Sequence, residues 1–238
     1  MVHQGVAPLA LASLVTHHFE DAEPGLTIQQ LNDRLMNVAW PDYKEWIASR
    51  NEAVAPTSSK FSALRFSRDS WQSFPELTSH YKGAMVKFMI YWVASFLERF
   101  CNGTPMARLR AYTAYALARF QHLQDVNGPW LDASTADDMC DAGRSFLIFY
   151  QKLGLAARQQ FPNRKMYKIV PKFHCMLHCA LYVQRTHRNP RYEHLYQEED
   201  FMKHISCICS QCHSKTMDTV CLYRYRALVE LCDATELK

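Results

Sequence analysis

Two histidines four residues apart, His174 and His178, and two cysteines four apart, Cys175 and Cys179, fall in the run PKFHCMLHCAL at 171–181. On a helix, residues i and i+4 share a face, so both imidazoles could ligate one metal ion. A third donor is required, and YQEEDFMKH at 196–204 offers Glu199, with Glu198 and His204 beside it, on a following helix. The pattern is not HExxH, so no general base is built in next to the histidines. The reading that asks least of these residues is a packed helix pair whose rings bond to neighbouring acceptors. A divalent metal is the alternative, and no other cofactor is expected.

A second cluster, CICSQCH at 207–213, contains Cys209, Cys212 and His213 in the C-x-x-C-H spacing of c-type haem attachment. It sits in an amphipathic helical pattern with no export signal. A zinc site would need a second ligand pair, and no other C-x-x-C occurs, so small buried cysteines are the expected reading. No phosphate-binding glycine loop and no G-x-S-x-G elbow is found. A Cys–His nucleophile pair stays open, because such partners meet in space. An enzyme is therefore less expected than a binding protein.

Charge gives a different signal. The net charge is only +4, yet no acidic residue lies between Asp141 and Glu193. That interval carries Arg144, Lys152, Arg158, Arg164, Lys165, Lys168, Lys172, Arg185, Arg188 and Arg191. Phe149, Tyr150, Tyr167, Phe173, Tyr182 and Tyr192 are interleaved with them. Cations neutralise phosphates, and exposed aromatic rings stack on unpaired bases. The candidate nucleic-acid contacts are Arg158, Arg164, Lys165, Lys168, Lys172, Arg185, Arg188 and Arg191. The competing reading makes the cations a solvated face and the aromatics core.

The elements that must position these residues are helical. The chain has 238 residues, 48% hydrophobic and 21% charged, with 7 glycines, a globular balance that does not favour a turn-rich β fold. Thr27 with Gln30 forms a capping box, and Leu31, Leu35 and Val38 follow on one face. Pro41 is expected to open a new helix. The Ser- and Pro-containing run at 55–70 reads as a loop or linker. The most apolar run, AMVKFMIYWVASFL at 84–97, is too short to span a bilayer and carries Lys87, so it reads as a core helix within 79–101. Asn102-Gly103 stops that helix and Thr104-Pro105 starts the next. Ser134 with Asp137 is expected to cap a long helix to about 160, and Pro171 to open the helix with the His pair. Two further helices are expected at 195–212 and 214–231.

The fold expected is all-α, an irregular multi-helix bundle of about eight or nine helices. An N-terminal helical segment at 1–55 and a main helical domain at 69–238 are the provisional units, unless the chain is one continuous domain. GVAPLALASLV near the start is mildly apolar but has no preceding Lys or Arg, so no secretory signal is expected. The 9 cysteines, an odd number lying in helical patterns, read as reduced thiols in an intracellular protein, nuclear or cytoplasmic, without membrane association.

PKFHCMLH, NPRYEHLYQEEDF and SQCHSKT together resemble a multicopy family of uncharacterised dinoflagellate open reading frames. More loosely, they resemble the C-terminal part of cut-and-paste transposases, in which a P-K-x-H-x-x-x-H block precedes a helix with an essential acidic residue. The resemblance covers 168–216. It implies that Glu198 or Glu199 corresponds to the last member of a metal-binding acidic triad. The strands that carry the other two acids in a ribonuclease H-like sheet have no counterpart upstream, so the resemblance implies a helical remnant or accessory region without catalysis. The function expected is nucleic-acid binding by a mobile-element-derived protein through the acid-free segment. The alternatives are a scaffold for a protein partner and a metal-binding helical protein.

Overall fold

The structure is a computed structural model and describes residues 5–50, 60–192, 216, 220, 223 and 224. The chain divides into two compact units, Met1–Tyr192 and Glu193–Lys238. The first unit is built from α1 (Ala7–Ala22), α2 (Ile28–Arg34), α3 (Trp40–Ala48), α4 (Gly83–Arg99), α5 (Pro105–Val126), α6 (Ala133–Gln160) and α7 (Pro171–Thr186). Among the described residues there is no strand, only one isolated bridge between Trp130 and Arg188. The all-α expectation holds.

Of the eight or nine helices expected, fewer are found among the described residues. A π turn, Leu35–Ala39, fuses α2 and α3 into one rod, which leaves six helical bodies among the described residues. Pro41, expected to open a new helix, does stand in the first turn of α3, but within a continuous rod it lacks an N–H and its ring crowds the carbonyl four residues back. The π turn absorbs both problems: the Trp40 N–H reaches back five residues to the Leu35 carbonyl, and the helix continues. The helix expected at 195–212 falls outside the described residues, and of the one expected at 214–231 only 216, 220, 223 and 224 are described.

Local signals account for most helix ends. Thr27 and Gln30 form the capping box at α2. Gly103, at φ 79°, turns the chain after α4, and the Thr104 hydroxyl accepts from the Ala107 N–H to open α5. At α6 the cap is Asp132 rather than Ser134. Its carboxylate accepts from the backbone and hydroxyl of Thr135 and from the Ser134 hydroxyl, which holds it down at about 2. A carboxylate answers the exposed N–H groups of a helix start better than a neutral hydroxyl does.

The centre of the unit is α1, which sequence analysis left as a mildly apolar stretch. It buries 13 of its 16 residues and packs against α2, α4 and α5. A helix enclosed on all sides needs apolar residues around its whole circumference, and Leu9, Leu11, Leu14, Val15 and Phe19 supply them. Helix α6 packs between α5 and α7, and Gly143 allows the close approach: an added Cβ would stand 3.1 Å from Ala180 and 3.2 Å from the Phe120 ring. The core helix expected at 79–101 is α4, whose Val86, Ile90, Trp92, Val93 and Phe96 are fully buried. No described helix is long and apolar enough to cross a membrane, and the four described cysteines form no disulfide.

The run at 55–70 is not a linker in its described part. Phe61 and Phe66 are fully buried, and Phe61 joins Trp40, Tyr43, Tyr81 and Trp92 in an aromatic cluster with ring centroids 5.2–6.1 Å apart. Serines marked this stretch as a loop, but its aromatic residues decide where it packs. Truncating a buried Phe removes its transfer energy and leaves a cavity, together about 3–5 kcal/mol. Phe61→Ala is therefore expected to lower the unfolding free energy by that amount in urea titration, whereas a linker residue would change it by less than about 0.5 kcal/mol.

Polar residues of α1 are sealed as well. His17 is fully buried with its Nδ1 2.8 Å from the Tyr167 hydroxyl, and His18 is half-buried against Phe96. Burial, reinforced by the nearby Arg110 guanidinium, pushes His17 down to about 3 and His18 to about 4. An unfolded imidazole titrates near 6.5, so below that pH the unfolded chain binds protons that the folded chain refuses. Stability is full above about pH 6.5 and falls as the pH drops toward the folded values. For His17 alone the loss at pH 5 is about 2 kcal/mol. Urea unfolding at pH 7 and pH 5 should show this loss in the wild type and a smaller one in His17→Gln. Comparing the two slopes cancels the opposite contribution of Glu20, which burial pushes up. Equal slopes would rule out His17 as the source.

Candidate functional site

Ten residues connect α6 to α7, and they fold back over the segment at 71–74. The Lys165 N–H donates to the Trp71 carbonyl and the Gln72 amide donates to the Asn163 carbonyl. Between this connection and the last turns of α6 lies a groove of about 460 Å³, within the range of ligand sites. Arg158, Arg164 and Lys165 supply its cations, Gln72, Gln151 and Asn163 its amides, and Phe74, Leu155 and Ile169 its apolar wall. No acidic side chain lines it among the described residues. Leu155 and Ile169 are 60% and 61% exposed, so the wall is open to solvent.

The floor is set by a buried charge cluster. The Glu20 side chain has no exposed surface. It accepts from Arg164 at 2.6 Å and from the Gly25 N–H at 3.0 Å. Arg164 also donates to the Leu26 carbonyl, and its guanidinium lies 3.9 Å over the Trp71 ring. Arg68, fully buried, stacks on the same ring at 4.5 Å and donates to the carbonyls of Lys165 and Ser73. Burial and the neighbouring Arg164 push Arg68 down to about 9, which leaves it charged at neutral pH. Next to this cluster, Arg110 pairs with Asp21 at 2.7 Å, and the Gln160 amide donates to the other Asp21 oxygen. Burial alone would raise Asp21, but these bonds outweigh it and hold the carboxyl below its usual range.

The eight cations singled out from the sequence separate into two groups. Arg158, Arg164 and Lys165 meet at the groove. Lys168 is half-buried near it, its carbonyl accepting from Tyr150, and the stem of exposed Lys172 lies against Gly5. Arg185, Arg188 and Arg191 lie at the other end of α7, about 20 Å along the helix from Lys172. There Arg188 covers the exposed Trp130 ring at 4.9 Å. Arg191 donates to the Asp125 carbonyl at 2.8 Å and pairs with its carboxylate at 3.6 Å. Asp125 also accepts from Lys87 and Tyr91, each at 2.7 Å, which keeps it below its usual range although burial acts the other way.

Of the six aromatics expected to stack on bases, Tyr150, Tyr167 and Phe173 are core residues with at most 8% exposure. Tyr167 still lines the groove, together with Phe74, which has the Lys165 ammonium 5.6 Å over its ring; Trp71 lies outside the lining, beneath the Arg68 and Arg164 guanidiniums. Sequence reasoning missed Phe74 and Trp71 because they sit in a Ser-rich run without a period. An unpatterned loop holding a Trp and a Phe within four residues was the available signal. On α7, His174 and His178 are both exposed, with their Nε2 atoms 2.8 Å apart. No group of three metal-ligating side chains forms among the described residues. Glu199, Glu198, His204, Cys209, Cys212 and His213 lie outside them. Comparison of the chain with protein-family models, with curated proteins and with solved structures finds no match.

Proposed function

We propose that this protein binds nucleic acid at the groove between α6 and the α6–α7 connection, contacting the backbone with Arg158 and Lys165 and stacking a base against Phe74. The observation that carries the reading is the conjunction of cations, amides and an aromatic ring around an open cavity without a carboxylate. Phosphates are matched by the cations, base edges by Gln72, Gln151 and Asn163, and a base face by the ring. Arg164 has a structural part, since its guanidinium already answers Glu20. The proposal includes the mobile-element origin implied by the resemblance over 168–216, and a role without catalysis.

A protein scaffold is the second reading. It is supported by Tyr112 and Tyr115, which stand 58% and 63% exposed one turn apart on α5 with Val126 further along at 60%. Exposed aromatics on one helix face are what a protein partner would cover.

The two readings separate in a fluorescence-anisotropy titration with labelled single-stranded DNA and RNA at about 50 mM salt. Wild-type protein is expected to bind, with the logarithm of the affinity falling against log salt at about 0.7 per phosphate contacted, a slope of about −1.4 for the contacts of Arg158 and Lys165. Arg158→Glu/Lys165→Glu is expected to weaken binding at least tenfold and to flatten that slope. Phe74→Ala should lose about 1–3 kcal/mol of binding with the slope retained. Arg185→Glu, at the far end of α7, should bind like wild type. Absence of binding by wild type at low salt, or full binding by Arg158→Glu/Lys165→Glu, would remove the groove from consideration and leave the scaffold reading.

A further inference from the structure

We propose that His174 and His178 form a two-imidazole site for a divalent transition-metal ion on the outer face of α7, independent of the groove and its cations. Helix α7 presents Phe173, Met176, Ala180 and Val183 to the core, so its orientation is locked by burial. The two histidines lie on the exposed side, one turn apart. Their rings are nearly perpendicular, 85°, with centroids 4.3 Å apart and the Nε2 atoms facing each other at 2.8 Å. Two lone pairs cannot face each other at that distance without something between them. Without a metal, one Nε2 must carry a proton and donate it to the other. In water such an exposed bond adds little to stability.

When a metal ion enters, the ring that carried its proton on Nε2 carries it on Nδ1 instead, and both Nε2 lone pairs are free to hold the ion. With metal–nitrogen bonds of about 2.0–2.1 Å, a 2.8 Å separation subtends about 86° at the ion. That is close to the right angle between adjacent positions of a square-planar or octahedral ion. A tetrahedral ion would need the nitrogens about 3.3 Å apart. The nitrogen separation therefore matches Cu(II) or Ni(II) once each ring turns its lone pair toward the ion, and Zn(II) after the rings also open by about half an ångström. Cys175 and Cys179 are each one residue further on, about 100° around the helix, and do not join the pair. The other coordination positions of the ion are filled by water.

The test titrates the full chain with CuCl2 and ZnCl2, followed by isothermal calorimetry and, for copper, by electron paramagnetic resonance. Wild type is expected to take up one tight equivalent of copper, to bind copper more strongly than zinc, and to show nitrogen hyperfine structure from two imidazoles. His174→Ala and His178→Ala should each weaken copper binding at least tenfold and remove the two-nitrogen signature. Because both side chains are exposed, their metal-free melting temperatures should match that of the wild type, which separates lost ligation from lost folding. Arg158→Glu/Lys165→Glu should keep the copper site, so failure of the nucleic-acid reading leaves this one standing. Copper binding by His174→Ala or His178→Ala as tight as the wild type's and with the same two-imidazole signature would overturn the proposal.

Discussion

The Glu20 carboxylate has no exposed surface, and a sealed negative charge must be met by a cation at hydrogen-bonding distance or be neutralised. Arg164 meets it from 144 residues further along the chain. That requirement fixes the α6–α7 connection against the end of α1, brings Trp71 under the same guanidinium, and so defines the floor of the groove. Removing one member of such a pair typically destabilises by about 3–5 kcal/mol, because the other is left buried and unanswered. Asp21 and Arg110 repeat the arrangement next to it; burial, aided by the Arg110 charge and opposed by that of Asp21, keeps His17 and His18 neutral. The polar end of α1 is thus one connected electrostatic unit inside an otherwise apolar helix.

The same constraint explains why a long acid-free segment does not become one continuous basic face. Two of its cations are compensated by acids from elsewhere: Arg164 by Glu20 of α1, and Arg191 by Asp125 of α5. Arg188 is occupied with the Trp130 ring. Arg158 and Lys165 remain exposed at the groove, so what can act on a polyanion there is smaller and more local than the linear charge pattern implies. Helix α7 acts as a rigid spacer. Its buried face sets its roll, its length separates the two basic groups, and its outer face carries the histidine pair.

What the sequence by itself determined is local in origin. The helical class, the capping box at Thr27, the stop at Gly103, the start at Thr104 and the position of α7 all follow from interactions within a few residues, which a linear pattern records directly. The facing of His174 and His178 belongs here too, since one helical turn is enough to produce it. What only the tertiary structure decided depends on partners far apart in the chain. Burial turned α1 into the central helix and Phe61 into core. Depth assigned Tyr150 and Phe173 to the interior and left Phe74 and the largely buried Tyr167 lining the groove. Above all, the charge on Arg164 and Arg191 is answered by Glu20 and Asp125, and Coulomb attraction acts through space, with no regard for position along the chain.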